Sequence, residues 1–308
     1  MTGPFDYLRI SVTNRCQLSC PYCRPEKHLG ARPLLSAAKL TELAEGICAV
    51  APIRKIRLSG GEPLLCPDLV ELVAALVDLP TKPEITLTTN GVLLEDLAPG
   101  LFAAGLSRLN VHVDRADPTS LPALDLVLRG LAAVRTSGFR NTKINAVLTS
   151  ALKAEDVRRL LTLAADNEAV LRFIELMPMG LRGRAYERLF LPADLALQRV
   201  SDAADLTYAD TVESPHRRYL ATLPEGRRVT VEMIAPMSRP FCDTCRRVRL
   251  TCDGLLLPCL LSPVRMSVLG EDGSVPGPSE LTELLGRCAS LKRRTCARLP
   301  ERMWAVGG

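Results

Sequence analysis

Hydrophobic and polar positions alternate along the first part of the chain as short apolar runs separated by longer amphipathic segments. Six apolar runs predict strands at Tyr7–Val12, Lys55–Leu58, Glu84–Leu87, Arg108–Val113, Thr142–Leu148 and Val170–Glu175. Helical spacing of apolar residues predicts helices at Ala37–Val50, Asp68–Val77, Glu95–Ala104, Ala123–Thr136 and Ala154–Ala164. Strands joined by helices of about 10–15 residues favour parallel pairing with right-handed crossovers. We therefore expect an α/β fold with a partial, TIM-like (β/α)6 barrel, although a flat doubly wound sheet fits the same pattern.

The alternation stops after Gly180, where we place a domain boundary. Residues 1–180 are expected to form the partial barrel, and residues 181–308 a C-terminal extension that closes the barrel mouth. Most of the extension before the next cysteines has no regular pattern. Its predicted elements are strands at Arg218–Leu223 and Arg228–Ile234 and a helix at Ser279–Arg287.

The bulk composition indicates a folded protein with a mild positive charge. Of the 308 residues 47% are hydrophobic, and the net charge is +5 with a sequence pI near 8.7. That excess is small for a DNA-binding domain and suits a small anionic substrate such as a phosphate ester. The chain has neither an apolar stretch long enough to span a membrane nor the apolar core of a secretory signal. We expect a cytoplasmic protein that binds neither nucleic acid nor membrane.

Candidate functional residues follow the predicted strands. Cys16–Cys23 comes after the first strand, Gly60-Gly61-Glu62 after the second, Thr88–Gly91 after the third, Asp114-Arg115 after the fourth and Met177–Gly180 after the sixth. Ligands bind at the carboxyl ends of parallel strands in both candidate folds. We therefore expect these loops to converge on one active site.

Six of the eleven cysteines fall into two tight groups, which indicates metal or redox chemistry and not a disulfide framework. The first cysteine group is Cys16, Cys20 and Cys23, with the spacing C-x3-C-x2-C. Three thiolates can bind one iron–sulfur cluster and leave its fourth iron open to a chelating ligand. A structural zinc site is the alternative, for which His28 is the nearest histidine.

The second cysteine group is Cys242, Cys245 and Cys259, with the spacing C-x2-C-x13-C. It suits another three-thiolate cluster, a zinc site, or a cluster closed by Cys252 as fourth ligand. Arg247 and Arg249 alternate on a strand-like run and so share one face. They could clamp phosphates bidentately or lie on a solvated edge strand.

Two motifs give the chain a resemblance to a known superfamily. The first cysteine group, with the aromatic Tyr22 before its last member, is similar to the signature of the radical S-adenosylmethionine (SAM) superfamily. The run Leu58–Pro63 resembles that superfamily's GGE motif, which contacts the amino group of SAM. Both motifs occur in the order typical of the superfamily, each after a predicted strand.

Further stretches resemble one family of this superfamily, the GTP 3′,8-cyclases of molybdenum cofactor biosynthesis, or MoaA family. The resemblance covers nearly the whole chain and includes the terminal Gly307-Gly308. The matching stretches are Leu8–Cys23, Lys55–Leu65, Thr88–Leu94, Lys143–Val147, Arg172–Gly180 and Phe241–Leu261.

The resemblance implies a lyase that converts GTP to 3′,8-cyclo-7,8-dihydro-GTP on the route to molybdopterin. Its cofactors would be SAM and two [4Fe-4S] clusters, of which the first cleaves SAM to a 5′-deoxyadenosyl radical that takes the C3′ hydrogen of GTP. A reducing protein such as flavodoxin or ferredoxin would supply the electron. Cyclic pyranopterin monophosphate synthase would act next, and a second copy of the chain would form a homodimer.

The resemblance also assigns roles to individual residues. The two cysteine groups would hold the two clusters. Contacts to SAM would come from Tyr22, Gly61, Glu62, His112, Met177 and Arg172. Contacts to GTP would come from Arg9, Arg57, Thr88, Lys143, Arg247, Val248 and Arg249, of which Lys143, Arg247 and Arg249 would be catalytic. GTP carries about four negative charges, which suits this basic set.

The chain departs from the family pattern in three places. His112 stands where the family usually has a serine that contacts SAM, the Ser150–Lys153 loop is short, and Arg246 replaces an Asn or Thr. A radical SAM paralogue acting on another substrate, such as a peptide, is the alternative function. A non-catalytic zinc protein stapled by both cysteine groups is a further alternative from outside this superfamily.

Overall fold

The computed structural model describes residues 5–23, 33–114, 123–178, 183–209 and 216–305, with side chains up to residue 292. Contacts divide the chain into two units. The first unit comprises Met1–Thr88, Ala103–Ser107 and Cys242–Gly308, and the second comprises Thr89–Phe102 and Arg108–Phe241. Each unit draws on both predicted sequence regions, so the boundary after residue 180 stays a prediction.

The first unit is built on a six-stranded, mostly parallel sheet. Its strands are β1 (Tyr7–Ser11), β2 (Lys55–Ser59), β3 (Glu84–Thr89, whose last residue begins the second unit), β10 (Arg247–Leu250), β11 (Leu255–Leu257) and β12 (Met266–Ser267). They lie in the order β12-β11-β10-β1-β2-β3. β1 pairs in parallel with both β10 and β2, while β11 and β12 run antiparallel at the edge.

Three helices cover this sheet, and their buried faces follow from the sequence. They are α1 (Ala37–Val50), α2 (Leu69–Val77) and α8 (Pro278–Ala305). The Ser36 side chain caps α1 by accepting a hydrogen bond from the backbone N–H of Lys39. α8 packs on α1 at Gly46, where a Cβ would lie 2.8 Å from the Leu281 side chain. The helices therefore bury the apolar face of the sheet and leave the opposite face to polar side chains.

The second unit repeats the plan of four parallel strands and an antiparallel edge. Its strands are β4 (Arg108–His112), β5 (Lys143–Leu148), β6 (Val170–Glu175), β7 (Asp205–Tyr208), β8 (Arg217–Thr222) and β9 (Arg228–Ile234), in the order β4-β5-β6-β9-β8-β7. β4, β5, β6 and β9 are parallel, and β8 and β7 are antiparallel. Its helices are α3 (Leu94–Ala103), α4 (Leu124–Thr136), α5 (Ala154–Asp166), α6 (Arg184–Leu189) and α7 (Ala193–Ser201).

The predicted α/β fold with a parallel, open sheet is confirmed, and neither sheet closes on itself. All six predicted strands of the first 176 residues form, each within two residues of its predicted bounds. After Gly180 the two predicted strands form as β8 and β9, with bounds within one residue of those expected. The rest of that segment was wrongly expected to be irregular, because α6, α7 and β7 lie there. The predicted helix Ser279–Arg287 was too short, since α8 continues to Ala305. Among the described helices, none is long and apolar enough to cross a membrane.

Candidate functional site

The first cysteine group is joined by hydrogen bonds to the glycine loop that follows β2. The N–H of Gly61 donates to the carbonyl of Thr13 at 2.8 Å, and that of Glu62 donates to the carbonyl of Arg15 at 2.6 Å. A Cβ on Gly60 would lie 2.4 Å from the Thr13 oxygen, and one on Gly61 would lie 2.2 Å from the Arg15 oxygen. Only glycine permits this close approach. The two sequence motifs therefore form one structural element at the carboxyl ends of β1 and β2.

The thiols of the first cysteine group are accessible to a ligand. Cys16 and Cys20 are half-buried and Cys23 is exposed. The N–H of Cys23 donates to the carbonyl of Cys20 at 3.0 Å, which closes a tight turn around the half-buried Tyr22. Glu62 is almost fully buried, and its carboxylate accepts a hydrogen bond from the N–H of Leu64 at 3.0 Å. Glu62 thus has a structural role in shaping this loop.

The second cysteine group has the same local turn and a cation beside it. Cys242, Cys245 and Cys259 are half-buried, and the N–H of Cys245 donates to the carbonyl of Cys242 at 3.1 Å. Burial alone would raise the pKa of Cys245. The Arg247 guanidinium, which donates from Nε to the Cys245 sulfur at 3.2 Å, and the Lys292 ammonium lower that pKa to about 7. This sulfur is held toward the thiolate form that metals bind.

The register of the first sheet fixes where the second cysteine group lies along the strands. Arg247 pairs with Tyr7 at the amino end of β1, and Leu257 of β11 pairs with Arg249. Cys245 precedes Arg247 by two residues and Cys259 follows Leu257 by two, so both lie near the amino end of β10. The first cysteine group lies beyond the carboxyl end of β1. The two groups therefore occupy opposite ends of these strands.

Cys252 is not a member of the second cysteine group. It is fully buried, its thiol hydrogen-bonds with Ser11, and burial raises its pKa. Its carbonyl accepts a hydrogen bond from the N–H of Leu35 at 2.8 Å. Because Ser11 ends β1, Cys252 lies at the carboxyl end of β10, away from Cys245. The alternative in which Cys252 is the fourth ligand of the second group is therefore wrong.

Between the two ends of the sheet lies an arginine row, formed by Arg249, Arg9 and Arg57 on three adjacent strands. The three are in register across β10, β1 and β2, and Arg57 continues in register to Thr86 of β3. Arg57 is buried and donates from Nε to the Thr86 hydroxyl at 3.1 Å. In-register neighbours point to the same side of a sheet. The arginine row is therefore a continuous cationic strip.

The arginine row concentrates like charges in a partly dehydrated site. Burial, followed by the neighbouring Arg9 and Arg247, lowers the pKa of Arg249 to about 9. Tyr7 lies in the same environment: burial would raise its pKa, but Arg9, Arg57, Lys55 and Arg247 lower it. The Lys55 ammonium and the Arg57 guanidinium lie 5.7 and 5.8 Å from the Tyr7 ring centroid. An anion bound here would relieve the repulsion among the guanidiniums.

Two further predicted GTP contacts lie on this unit. Thr88 is two residues beyond Thr86 on the same strand face, and its buried Oγ1 has no hydrogen-bond partner among the residues that the structure describes. That hydroxyl is available to a bound molecule. The Val248 side chain is fully buried and alternates with Arg247 and Arg249, so it points to the other face. Any contact of Val248 with GTP would involve its backbone.

The second unit brings Lys143 and Arg172 together around a carboxylate that the sequence analysis missed. Lys143 Nζ donates to both oxygens of Glu232, at 2.9 and 3.0 Å, and Arg172 Nε donates to Oε2 at 2.8 Å. Arg218 Nη2 adds a hydrogen bond to Oε1 at 3.1 Å. These four residues are called the Glu232 cluster below. Glu232 is the one charged residue in the mostly apolar run Val229–Ile234, and this feature of the sequence could have identified it as a buried functional carboxylate.

His112 and Met177 mark the carboxyl ends of β4 and β6. His112 Nε2 lies 2.7 Å from Asp114 Oδ1, which also accepts a hydrogen bond from the N–H of Val147 at 2.8 Å. Met177 is half-buried beyond β6. Asn145 pairs in register with both His112 and Arg172, and in the described part of the chain its buried Oδ1 has no hydrogen-bond donor. Asn145 is a further candidate for ligand binding that the sequence analysis did not name.

Several predicted features are not tested by the geometry. Within the described ranges, no three His, Cys, Asp or Glu side chains are grouped closely enough to hold a single metal ion. His28, Arg115, Met179, Gly180 and the terminal Gly307-Gly308 lie outside the described residues. Cys48 and Cys288 are buried thiols whose pKa burial raises to about 11 and about 12, as expected for cysteines that only pack.

Comparison with known proteins identifies the family. The sequence profile of the radical SAM superfamily matches residues 10–164, and the profile named Molybdenum Cofactor Synthesis C matches residues 169–296. The chain is 42% identical over 267 residues to the GTP 3′,8-cyclase of Pseudomonas entomophila (strain L48), covering 83% of this chain and 78% of that protein. The chain belongs to the GTP 3′,8-cyclase family of radical SAM enzymes.

Other similarities agree with this family and its fold. The chain is 36% identical over 273 residues to the GTP 3′,8-cyclase of Picosynechococcus, with coverage of 84% and 82%. Its fold resembles Streptococcus suis SuiB bound to SAM, with a TM-score of 0.60, 13% identity and coverage of 90% and 66%. It also resembles anSMEcpe with bound SAM, with a TM-score of 0.58, 18% identity and coverage of 85% and 77%. The predicted superfamily and family are confirmed, and membership brings SAM and an iron–sulfur cluster as cofactors.

Proposed function

We propose that this member of the GTP 3′,8-cyclase family converts GTP to 3′,8-cyclo-7,8-dihydro-GTP in molybdenum cofactor biosynthesis. The observation that carries the proposal is the arginine row, which lies along the strands between the two cysteine groups. A nucleoside triphosphate carries about four negative charges, and such charge would offset the repulsion that lowers the pKa of Arg249. A neutral peptide substrate would leave that repulsion in place.

The first cysteine group would hold the cluster that binds SAM through an open iron, and the second would hold a further [4Fe-4S] cluster. When bound, the first cluster and SAM would supply the 5′-deoxyadenosyl radical chemistry that removes the C3′ hydrogen of GTP. The donor sets support this assignment. Cys245 is held toward the thiolate by Arg247 and Lys292, and the accessible thiols of the first group surround a tight turn beside the Gly60-Gly61 loop.

The residues of the chain would bind and orient the two ligands. Arg9, Arg57 and Arg249 would bind phosphate oxygens from one face of the sheet, and Arg247 would bind substrate beside the second cluster. The buried Thr88 hydroxyl, which has no hydrogen-bond partner among the described residues, would bind a polar group of GTP. Lys143 would supply a further positive charge to the substrate, and its role, like those of Arg247 and Arg249, is to hold GTP for attack at C3′.

Six residues are proposed to bind SAM. Tyr22, Gly61 and Glu62 flank the first cysteine group, and Glu62 would act mainly by holding the loop through its hydrogen bond from Leu64. His112 and Met177 lie at strand carboxyl ends and would contact SAM directly, with Arg172 nearby. The Asp114 carboxylate beside His112 orients the imidazole.

Partners and location complete the proposal. An electron donor such as flavodoxin or ferredoxin would reduce the first cluster, and cyclic pyranopterin monophosphate synthase would consume the product. Because reduced clusters and GTP are both found in the cytoplasm, we place the enzyme there, and we include a homodimer among its assemblies. We also propose that residues 1–180 carry the SAM-binding region and residues 181–308 the second cluster region.

The test is an anaerobic assay with reconstituted protein. Two cubanes require about eight irons per chain. Incubation with SAM, dithionite and GTP should give 5′-deoxyadenosine and a cyclic nucleotide, measured by liquid chromatography with mass detection. Formation of deoxyadenosine without loss of GTP would show that the substrate is wrong, and colourless protein with bound zinc would contradict the cofactors.

A pair of variants tests the cationic site. The double variant Arg247→Ala, Arg249→Ala should retain about eight irons but lose GTP turnover. Arg246→Ala is the matched control, because Arg246 is half-exposed and pairs with Asp6 at 2.9 Å. Unchanged GTP turnover in the double variant would refute the binding role of these two arginines.

A further inference from the structure

Glu232 is the buried carboxylate at the centre of the Glu232 cluster. It is 3% exposed and lies on β9, between β6 and β8. Arg172 and Arg218 are its in-register neighbours on those two strands, and Lys143 reaches it from β5. All three cations donate hydrogen bonds to its two oxygens. One negative charge therefore offsets only one of three positive charges.

Removing the carboxylate would have different consequences for its two most buried partners. The Lys143 and Arg172 side chains are only 12% and 11% exposed, whereas that of Arg218 is 52% exposed. A guanidinium keeps its proton when it loses a buried partner, but an ammonium can release it. Glu232 thus decides the charge of Lys143 as well as the position of both side chains.

The pKa values in the cluster show that the charge of Lys143 depends on Glu232. Burial and the Arg172 charge lower the pKa of Lys143, and the Glu232 carboxylate opposes them, which leaves the pKa at about 8. The groups facing Lys143 are Arg108 on β4, Arg172 on β6 and Glu232 on β9, with Arg218 of β8 on the far side of the carboxylate. Burial would raise the pKa of Glu232, but Arg172 and Lys143 lower it to about 2. Glu232 therefore stays ionised near neutral pH, where Lys143 begins to titrate.

We infer that Glu232 is a positioning residue that keeps Lys143 protonated and side by side with Arg172, so that both present positive charge to the substrate. The inference rests on the proposed function, in which Lys143 contacts GTP. The carboxylate is saturated by its three cations, whereas the cations retain further donors. The ion pairs with Lys143 and Arg172 neutralise the negative charge of Glu232. The cluster keeps a net positive charge, which can attract an anion.

The inference predicts that loss of Glu232 weakens GTP binding in a pH-dependent way. In Glu232→Gln the pKa of Lys143 should fall below about 8, because its only attractive partner in the cluster is gone. Lys143 would then be mostly neutral at pH 7.5 and would regain its proton as the pH is lowered. The dissociation constant of radiolabelled GTP, measured by anaerobic equilibrium dialysis with the reconstituted protein and SAM, should rise about threefold at pH 7.5, because a fall of about one unit from a pKa of about 8 lowers the protonated fraction of Lys143 about threefold at that pH. The increase should be much smaller at pH 6.0.

Glu225→Gln provides a matched control on the same hairpin. Glu225 lies in the turn between β8 and β9 and forms an exposed ion pair with Arg227 at 2.6 Å. This variant should bind GTP like the wild type at both pH values. A merely structural role for Glu232 would weaken binding equally at both pH values, and that result would overturn the inference, as would unchanged binding.

The variant Arg218→Gln keeps the inference testable if Glu232→Gln does not fold. In Arg218→Gln the half-exposed cation no longer shares the carboxylate, so the pKa of Lys143 should rise and GTP binding should persist to higher pH than in the wild type. Where Glu232→Gln folds, its pH-dependent effect on GTP binding should disappear in the Lys143→Gln background, since that effect acts through Lys143. A pH-dependent effect that persists without Lys143 would refute that coupling. A wild-type protein that binds no GTP would instead contradict the proposed function.

Discussion

Glu175 is the residue whose loss should most clearly destabilise the second unit. It ends β6, two residues before Met177, and is 1% exposed. Its carboxylate accepts hydrogen bonds from the N–H groups of Ala193, Met237 and Ser238 at 2.8, 3.0 and 2.9 Å, and from the Ser238 hydroxyl at 2.5 Å. One side chain thus connects the end of a central strand to the start of α7 and to the segment that leads into Cys242.

The change Glu175→Gln keeps the size of the side chain and removes the fit to these donors. Each oxygen accepts two hydrogen bonds. An NH2 group in place of Oε2 faces two backbone N–H donors and can bond to neither, and one in place of Oε1 faces the Ala193 N–H and can bond only to the Ser238 hydroxyl. Hydrogen bonds to a charged acceptor contribute about 1.5–3 kcal/mol each, and unsatisfied buried groups add to the loss. We expect the free energy of unfolding to fall by about 4 kcal/mol once partial rearrangement is allowed for.

The expected change in melting temperature follows from the size of the chain. At about 2.1 cal/mol/K per residue, 308 residues give an unfolding entropy near 0.65 kcal/mol/K. A loss of about 4 kcal/mol therefore lowers Tm by about 6 °C. Thermal unfolding followed by circular dichroism under anaerobic conditions measures this change directly.

Glu187→Gln is the matched control, since Glu187 is exposed on α6. Its Tm should stay within about 1 °C of the wild type, as for most surface substitutions. The iron content of Glu175→Gln should also fall from about eight toward four per chain, because the segment before Cys242 loses its anchor. A Tm equal to that of the control would show that the Glu175 hydrogen bonds do not support the fold in the way derived above.

Two further predictions concern single residues of the first unit. Cys252→Ala should retain about eight irons per chain, because Cys252 lies at the other end of β10 from the second cysteine group. Its Tm should fall by about 2 °C, because the substitution removes buried side-chain volume. A loss of about four irons per chain would show instead that Cys252 is a cluster ligand. For Arg249, burial and the neighbouring charges of Arg9 and Arg247 disfavour the charged guanidinium in the GTP-free protein, as its lowered pKa indicates. Arg249→Gln should therefore be at least as stable as the wild type in urea unfolding at low salt without GTP, and a clear loss of stability would contradict the charge crowding in the arginine row.

The strands of the first half of the chain could be predicted because each is a short apolar run that ends at a polar motif. In β1 and β2 apolar side chains alternate with polar ones such as Arg9 and Arg57, which is the pattern of a strand with one apolar face. The short strands β11 and β12 have three and two residues and carry too little pattern to predict. The predicted helix ended too early because Lys292 occupies a position on the buried face of α8, which includes Leu281, Leu285 and Cys288. In the structure that ammonium hydrogen-bonds to the carbonyl of Arg247 and lies 5.4 Å from the Phe5 ring centroid, which explains a buried lysine.

The candidate site could be predicted only where its residues are neighbours in sequence. The cysteine groups and the Gly60-Gly61 loop are local patterns, and the structure keeps each as a local turn. The alignment of Arg249 with Arg9 and Arg57 depends instead on β10 being inserted beside β1, more than 230 residues away along the chain. Likewise, the pairing of Glu232 with Arg172 depends on β9 following β6 in the sheet. Strand order of this kind is set by packing across the whole unit, which no sequence window contains.

The buried cations of the second unit share a carboxylate, whereas those of the arginine row repel one another. This difference affects which of them bind an anion more strongly. In the second unit Lys143 and Arg172 share the carboxylate of Glu232, so their attraction for an anion is moderated before any ligand arrives. In the first unit the charges of Arg9 and Arg247 act on Arg249 strongly enough to lower its pKa to about 9. An anion gains more free energy where neighbouring cations repel one another without a counter-charge than where a carboxylate already offsets their charge. The phosphates of GTP should therefore bind chiefly to the arginine row, and Lys143 should mainly orient the substrate. If so, Lys143→Gln should lower the affinity for GTP less than Arg249→Gln does.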